Sequence, residues 1–155
     1  MRFVDANIFI NWFKGRKADL PENEEVTNSG YILYRIQYGE TAVTSSLVKE
    51  EVMIWLSRYK RSKMQHFLSS LLSYKSLEII NLTHDDQKIA EKMFGTYNLG
   101  YTDCINLALM NRLKVKEIYS TDKGFDGIIG IKRIFSHLPS SKDFKDFLNW
   151  AQKNL

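Results

Sequence analysis

Four acidic residues between positions 5 and 122 stand where a short apolar run ends or on a predicted helix. Asp5 ends the apolar run at the start of the chain, and Asp122 follows a second run near position 119. Asp103 opens a predicted helix, and Glu51 lies within another. Carboxylates brought into one pocket repel each other unless a divalent cation joins them. The residue types therefore indicate a metal-dependent enzyme, provided that the fold gathers these positions.

The elements that would gather them alternate along the chain as short apolar runs and longer amphipathic stretches. This alternation predicts a mostly parallel sheet of four to five strands with helices on both faces, an α/β three-layer sandwich. The carboxyl ends of parallel strands meet at one edge of the sheet, where α/β folds place their sites. The predicted strands are 2–5, 41–44, 77–82, 116–120 and 132–135, and the predicted helices are 6–14, 24–37, 46–59, 62–74, 84–97, 103–113 and one that starts at 140–143.

Helical phase distinguishes two neighbouring glutamates in the third predicted helix. Glu51 lies near the same face as Leu47, Val48 and Trp55, whereas Glu50 is turned by about 100°. A solvated glutamate should point away from the apolar face. The phase therefore favours Glu51 as the inward-facing carboxylate.

Each of these polar positions also has an ordinary structural explanation. Asp5 and Asn7 are good helix caps, and Asp103 suits the positive start of a helix that Thr102 would cap. Glu51 could form a partly buried ion pair. Asp122 and Asp126 suit turns. Ser45 or Ser46 could cap the third helix, with a capping box at Ser46 as an option.

Composition favours one domain over residues 1–155 in a reducing compartment. The chain has 155 residues, 44% of them hydrophobic, and a single cysteine, Cys104, which excludes an internal disulfide and a cysteine-based zinc site. The histidines His66, His84 and His137 show no zinc spacing. Polar residues interrupt the first apolar run and no run is long enough to span a bilayer, so a cytoplasmic protein without a membrane segment is expected.

The charge balance suits a polyanionic partner. The net charge is +4, with 22 Lys and Arg against 18 Asp and Glu. If four of those acids face a metal, the remaining surface has a larger positive excess, which suits RNA or DNA. A basic solvated surface is the alternative explanation. Candidate phosphate-binding residues, among which the sequence does not choose, are Arg58, Lys60, Arg61, Lys63 and Lys123.

Four segments in order resemble the motifs of PIN-domain nucleases, most closely the VapC-type ribonuclease toxins of prokaryotic toxin–antitoxin pairs. They are Phe3–Phe9, Thr44–Val52, Tyr101–Ala108 and Ser120–Asp126. No single segment is specific, but all four occur in order at family-like distances. Lys49-Glu50 departs from the apolar or small residues that are more usual before the family glutamate.

This resemblance implies an endoribonuclease that depends on Mg²⁺ or Mn²⁺. It implies Asp5, Asp103 and Asp122 as metal ligands, with Glu51 ligating through water or orienting the attacking water. Asp126 would be an auxiliary acid, and Asn7, Ser45 and Thr102 could position a ligand carboxylate or a phosphate. The resemblance also implies an antitoxin protein that blocks the site and a homodimer. Trp12, Phe13 and Trp55 would fit an interface or, equally, the core.

Three other functional classes remain open from the sequence. An RNA- or DNA-processing nuclease of the same fold would need extra elements for which 155 residues leave little room. A phosphate-transfer receiver domain would need an aspartate at the end of a middle strand, and no aspartate ends the third strand. A non-catalytic RNA-binding relative would not need all four acids.

Overall fold

A computed structural model describes residues 1–136, 138 and 142–155, and it has the predicted α/β architecture. Within these residues a five-stranded, all-parallel sheet is flanked by seven α-helices. The strands are β1 Arg2–Val4, β2 Ala42–Ser45, β3 Leu77–Ile80, β4 Glu117–Tyr119 and β5 Lys132–Ile134. The helices are α1 Ala6–Lys14, α2 Glu24–Gln37, α3 Ser46–Tyr59, α4 Met64–Ser73, α5 His84–Met93, α6 Tyr101–Leu113 and α7 Phe144–Asn154.

The strand order is β3-β2-β1-β4-β5, with β1 in the centre. The chain moves outward from β1 to β3 and then returns across the sheet to β4, on the other side of β1. Right-handed crossovers therefore place α1–α4 on one face and α5–α6 on the other. The strand order reverses between β1 and β4, and open α/β sheets bind ligands in the crevice at such a switch point.

The core lies between the central strands and these helices. Phe3 and Val4 of β1 and Ile118 and Tyr119 of β4 are fully buried, as are large side chains of α1 and α2. Trp12 and Phe13 are nearly inaccessible, so they pack in the core. None of the helices in the described residues combines the length and apolar character that a membrane-spanning helix requires.

Helix α7 is attached by an aromatic cluster on α1 and α2. The Trp150 ring stacks on Trp12 with their centroids 5.4 Å apart, and Phe147 packs against Tyr31 at 5.4 Å. Phe147 is fully buried. Aromatic pairs at these distances contribute beyond the area that they bury. The helix is therefore an integral part of the core.

Several element boundaries differ from the sequence predictions. Helix α5 ends at Met93 rather than 97, because Gly95 adopts a φ of +91° that ends the helical run. Strand β3 ends at Ile80, two residues early. Helix α4 begins at Met64, after a 3₁₀ turn at Arg61–Lys63.

One capping prediction is confirmed and another is wrong. Ser45 caps α3 by accepting a hydrogen bond from the Val48 amide, so the alternative capping box at Ser46 does not form. Helix α6 begins at Tyr101 with Gly100 as its N-cap, so Thr102 lies inside the helix and does not cap it.

The predicted start of the last helix and one of the three histidines lie outside the described residues. Helix α7 begins at Phe144, and the predicted start at Ser140 and Ser141 lies outside the described residues, as does His137. His84 is exposed at the start of α5, and His66 packs edge-on against Phe13 with centroids 5.2 Å apart.

Candidate active site

Asp5 lies at the turn from the central strand into α1. Its amide donates to the Tyr119 carbonyl at 3.1 Å, which holds the end of β1 against β4. One carboxylate oxygen accepts from the Ala6 amide at 2.8 Å, and the other accepts from Ser120 Oγ at 2.6 Å. Asp5 is only 4% exposed, and burial raises its pKa although these hydrogen bonds oppose the shift. The side chain is both fixed in place and poorly solvated.

Ser120, which follows β4, connects three of the residues at this edge. Its hydroxyl donates to Asp5 and accepts from Asn7 Nδ2 at 3.1 Å and from the Asp122 amide at 3.0 Å. Asn7 Nδ2 also donates to Asp5 at 2.9 Å, and Asn7 Oδ1 accepts from the Thr121 amide. No role for Ser120 was predicted from the sequence. The available signal was its position as a small polar residue directly after a buried strand.

Asp103 lies in the first turn of α6 and faces the other acids. Burial raises its pKa to about 7, together with the negative charges of Asp5, Asp122 and Glu51 and a side-chain hydrogen bond to Asp122. Repulsion from three carboxylates requires that each of them lie near Asp103, where burial reduces the screening by solvent. The structure thus brings together the four acids that the sequence singled out.

Glu51 reaches this group from α3. It is half-buried whereas Glu50 is exposed, as the helical phase predicted. Burial and the charge of Asp5 raise the pKa of Glu51, and a hydrogen bond with the Thr102 side chain opposes the shift. Thr102 therefore contacts the acidic residue across the crevice.

A buried contact between the end of β2, where α3 begins, and α6 sets this approach. Ser45 Oγ donates to Asn106 Oδ1 at 2.7 Å, and both residues are almost inaccessible. Asn106 lies one turn after Asp103, so the bond fixes the start of α3 relative to the start of α6. Asn106 Nδ2 has no hydrogen-bond partner within the described part of the chain.

Asp122 and Asp126 differ in their surroundings. Asp122 is exposed and accepts from the Gly124 amide at 2.8 Å, which caps a 3₁₀ turn at Lys123–Gly127. Asp126 is bound by Arg133 through contacts of 2.8 and 3.1 Å, which lower its pKa. Asp126 is not among the charges that raise the pKa of Asp103. It is therefore paired with a cation beside the acidic group.

The acidic group supplies only oxygen ligands, which Mg²⁺ and Mn²⁺ prefer. Within residues 1–136, 138 and 142–155, no group of three or more His, Cys, Asp or Glu side chains is already arranged to hold a metal ion. The hydrogen bond between Asp103 and Asp122 instead offsets part of the repulsion with a proton. A divalent cation would offset the same repulsion, so the donor set fits such an ion.

Comparisons with known proteins identify the same type of fold. The family model described as PIN domain matches residues 2–130. No protein with a curated functional description matches the sequence. Among solved structures, a toxin–antitoxin complex from Klebsiella pneumoniae is 22% identical, with a TM-score of 0.63, and the match covers 84% of this chain and 95% of that one.

Two further solved structures are similar to this chain. VapC20 of Mycobacterium tuberculosis, described as a toxin that cleaves the sarcin–ricin loop, is 14% identical with a TM-score of 0.60, and the match covers 84% of this chain and 98% of that one. VapBC2 of Rickettsia felis, bound to a promoter DNA fragment, is 15% identical with a TM-score of 0.59, and the match covers 86% and 96%. At these identities the likeness establishes the fold.

Proposed function

The chain belongs to the PIN-domain family, and from this premise we propose that it is an endoribonuclease that uses Mg²⁺ or Mn²⁺ to hydrolyse RNA phosphodiester bonds. The observation that carries this proposal is the position of Asp103 at the switch point of the sheet, where burial and the negative charges of Asp5, Asp122 and Glu51 raise its pKa to about 7. Perturbed groups in such a crevice are typical of active sites.

Asp5, Asp103 and Asp122 are the proposed metal ligands. Asp5 and Asp103 are held by β1 and α6, while Asp122 approaches from the turn after β4. A bound divalent ion would supply activation of water and neutralisation of phosphate charge. Glu51, whose carboxylate forms a hydrogen bond with Thr102, would orient the attacking water. Asn7 supports Asp5, and Asp126 with Arg133 forms the outer border of the site.

We further propose that the protein is the toxin of a type II toxin–antitoxin pair. Structures similar to it include a toxin–antitoxin complex and a toxin described as cleaving the sarcin–ricin loop. The proposal includes an antitoxin partner that blocks the acidic site, a homodimer, a cytoplasmic location and a single domain over residues 1–155.

The direct test is cleavage of single-stranded RNA, transfer RNA and flapped DNA with and without divalent ions. We expect cleavage of at least one RNA with Mg²⁺ or Mn²⁺ and its loss when EDTA removes the ion. Preferential cleavage of flapped DNA would support a processing nuclease of the same fold. Absence of cleavage together with RNA binding would support a non-catalytic RNA-binding protein.

The Ser120 hydroxyl is expected to affect cleavage without contacting substrate. Ser120→Ala removes the donor to Asp5 and the acceptor for Asn7 and the Asp122 amide. Loss of a residue that orients a metal ligand typically reduces metal affinity or activity by about 10- to 100-fold. We expect a fall of about 10-fold in kcat/KM, partly restored by raised Mn²⁺.

Ser57→Ala is the matched control, because Ser57 is exposed on α3 and, within the described part of the chain, its hydroxyl bonds only to the Ile54 carbonyl. Equal activity of both variants would show that Ser120 does not position Asp5. Calorimetric titration of Mn²⁺ provides a readout that does not depend on cleavage.

A further inference from the structure

A groove with aromatic and basic walls lies between the far ends of α1 and α3. It has a volume of about 500 Å³, and its lining includes Lys14, Arg16, Trp55, Tyr59 and Lys60. We refer to it as the α1–α3 groove. None of the four acids lines it. It is therefore a separate feature from the acidic site.

The groove is connected to the acidic site by the geometry of α3. Glu51, Trp55 and Tyr59 follow one another at intervals of four residues, so they are neighbours along one side of the helix. At 1.5 Å per residue, Trp55 lies about 6 Å and Tyr59 about 12 Å along the axis from Glu51. A strand that leaves the acidic site along α3 would meet these rings next.

The two rings form a platform for a flat ligand. Trp55 and Tyr59 have their centroids 5.2 Å apart at an interplanar angle of 45°. Trp55 is half-buried and anchored against the core, whereas Tyr59 is 66% exposed. An exposed tyrosine supported by an anchored tryptophan presents a ring face at little entropic cost. Every nucleobase can stack on such a face.

The charge of the groove suits a phosphate backbone. Asp19 is the single acid among the described residues that line the groove, and its carboxylate forms an ion pair with Arg16 at 3.4 Å. Lys14 lies 4.0 Å from Glu25, and both are exposed, so that pair binds weakly. Lys60 forms no ion pair with any described residue. Lys14 and Lys60 can therefore exchange counterions for phosphates.

We infer that the α1–α3 groove binds single-stranded RNA beside the cleavage position. A base stacks on Tyr59 and Trp55, and Lys14 and Lys60 contact the flanking phosphates. This inference rests on the proposed function and specifies how that function recognises its substrate. A positively charged groove that carries aromatic stacking platforms is the arrangement by which proteins bind single strands.

The test measures binding of a fluorescein-labelled, mixed-sequence single-stranded RNA by fluorescence anisotropy in EDTA, at several salt concentrations. Tyr59→Ala should weaken binding by about 10-fold, since the loss of one stacked base typically costs between about 5- and 150-fold. Its salt dependence should match that of the wild type. Lys60→Met should reduce the slope of log affinity against log salt by about 0.7.

Two control variants are matched to these changes. Ile54→Ala removes an exposed apolar side chain on α3 that does not line the groove, and Lys88→Met removes an exposed lysine on α5. Both should bind RNA as the wild type does. With a divalent ion present, the groove variants should raise KM for RNA cleavage and leave kcat unchanged.

The outcomes separate this inference from the proposed function. If the wild type cleaves RNA and the Tyr59 and Lys60 variants bind it unchanged, the groove inference is wrong and the nuclease proposal survives. That result would include the case in which the groove binds a protein segment instead. If the wild type neither binds nor cleaves RNA, both are wrong.

Discussion

Replacement of Asp103 by asparagine is expected to reduce RNA cleavage by at least about 100-fold, and replacement of Asp5 by asparagine should have a similar effect. Each change removes a negative charge while it keeps the size and shape of the side chain. The remaining acids then bind a divalent ion less tightly, and less charge stabilisation reaches the transition state. Single-turnover cleavage of a labelled RNA, with saturating and limiting Mn²⁺, measures the loss.

Neighbouring glutamates on α3 provide a sharp internal control for this result. Glu51→Gln removes the half-buried carboxylate that faces Asp5, and Glu50→Gln removes an exposed carboxylate one residue earlier. Only the first should impair cleavage. Undiminished cleavage by both Asp5→Asn and Asp103→Asn would remove these residues from the mechanism.

The same Asp103→Asn variant is expected to be more stable than the wild type when metal is removed. In the folded protein Asp103 keeps its proton up to about pH 7, whereas in the unfolded chain it loses the proton near 3.8. Between these values the folded state binds more protons, so the free energy of unfolding falls as pH rises. The burial and repulsion that cause this fall are absent when the side chain is neutral.

Above pH 7 the variant should exceed the wild type by about 2 kcal/mol in unfolding free energy, a value that allows for solvent screening of a partly exposed group. Near pH 4 the two should be equal. Urea unfolding in EDTA across this range checks the difference. Addition of Mn²⁺ should stabilise the wild type more than the variant, because the ion binds the folded state preferentially. A variant less stable than the wild type throughout would contradict the proposed repulsion.

Sequence patterns predicted the main elements because each carries its own local signal. Helices α1 and α2 match their predicted limits, since amphipathic periodicity and the flanking polar residues determine both ends. The distinction between Glu50 and Glu51 also followed from helical phase alone. These features depend on residues within a few positions of each other, so the sequence is sufficient to predict them.

Features that depend on distant contacts were not predicted. The strand order that puts β4 beside β1 is a property of the whole fold, and it alone brings Ser120 against Asp5. The N-cap of α6 was misplaced because Thr102, a good capping residue, instead bonds to Glu51 on another helix. The contact with Glu51 outweighs the capping preference of Thr102, as often happens at functional sites.

The residues that match the family model form a shorter segment than the residues that pack together in the fold. The family match ends at residue 130, yet α7 covers Trp12 and Tyr31 through Phe147 and Trp150. A shortened protein that ended at residue 130 would expose these aromatic rings to solvent, and such an apolar surface promotes aggregation. A fusion protein that contains this domain should therefore include α7.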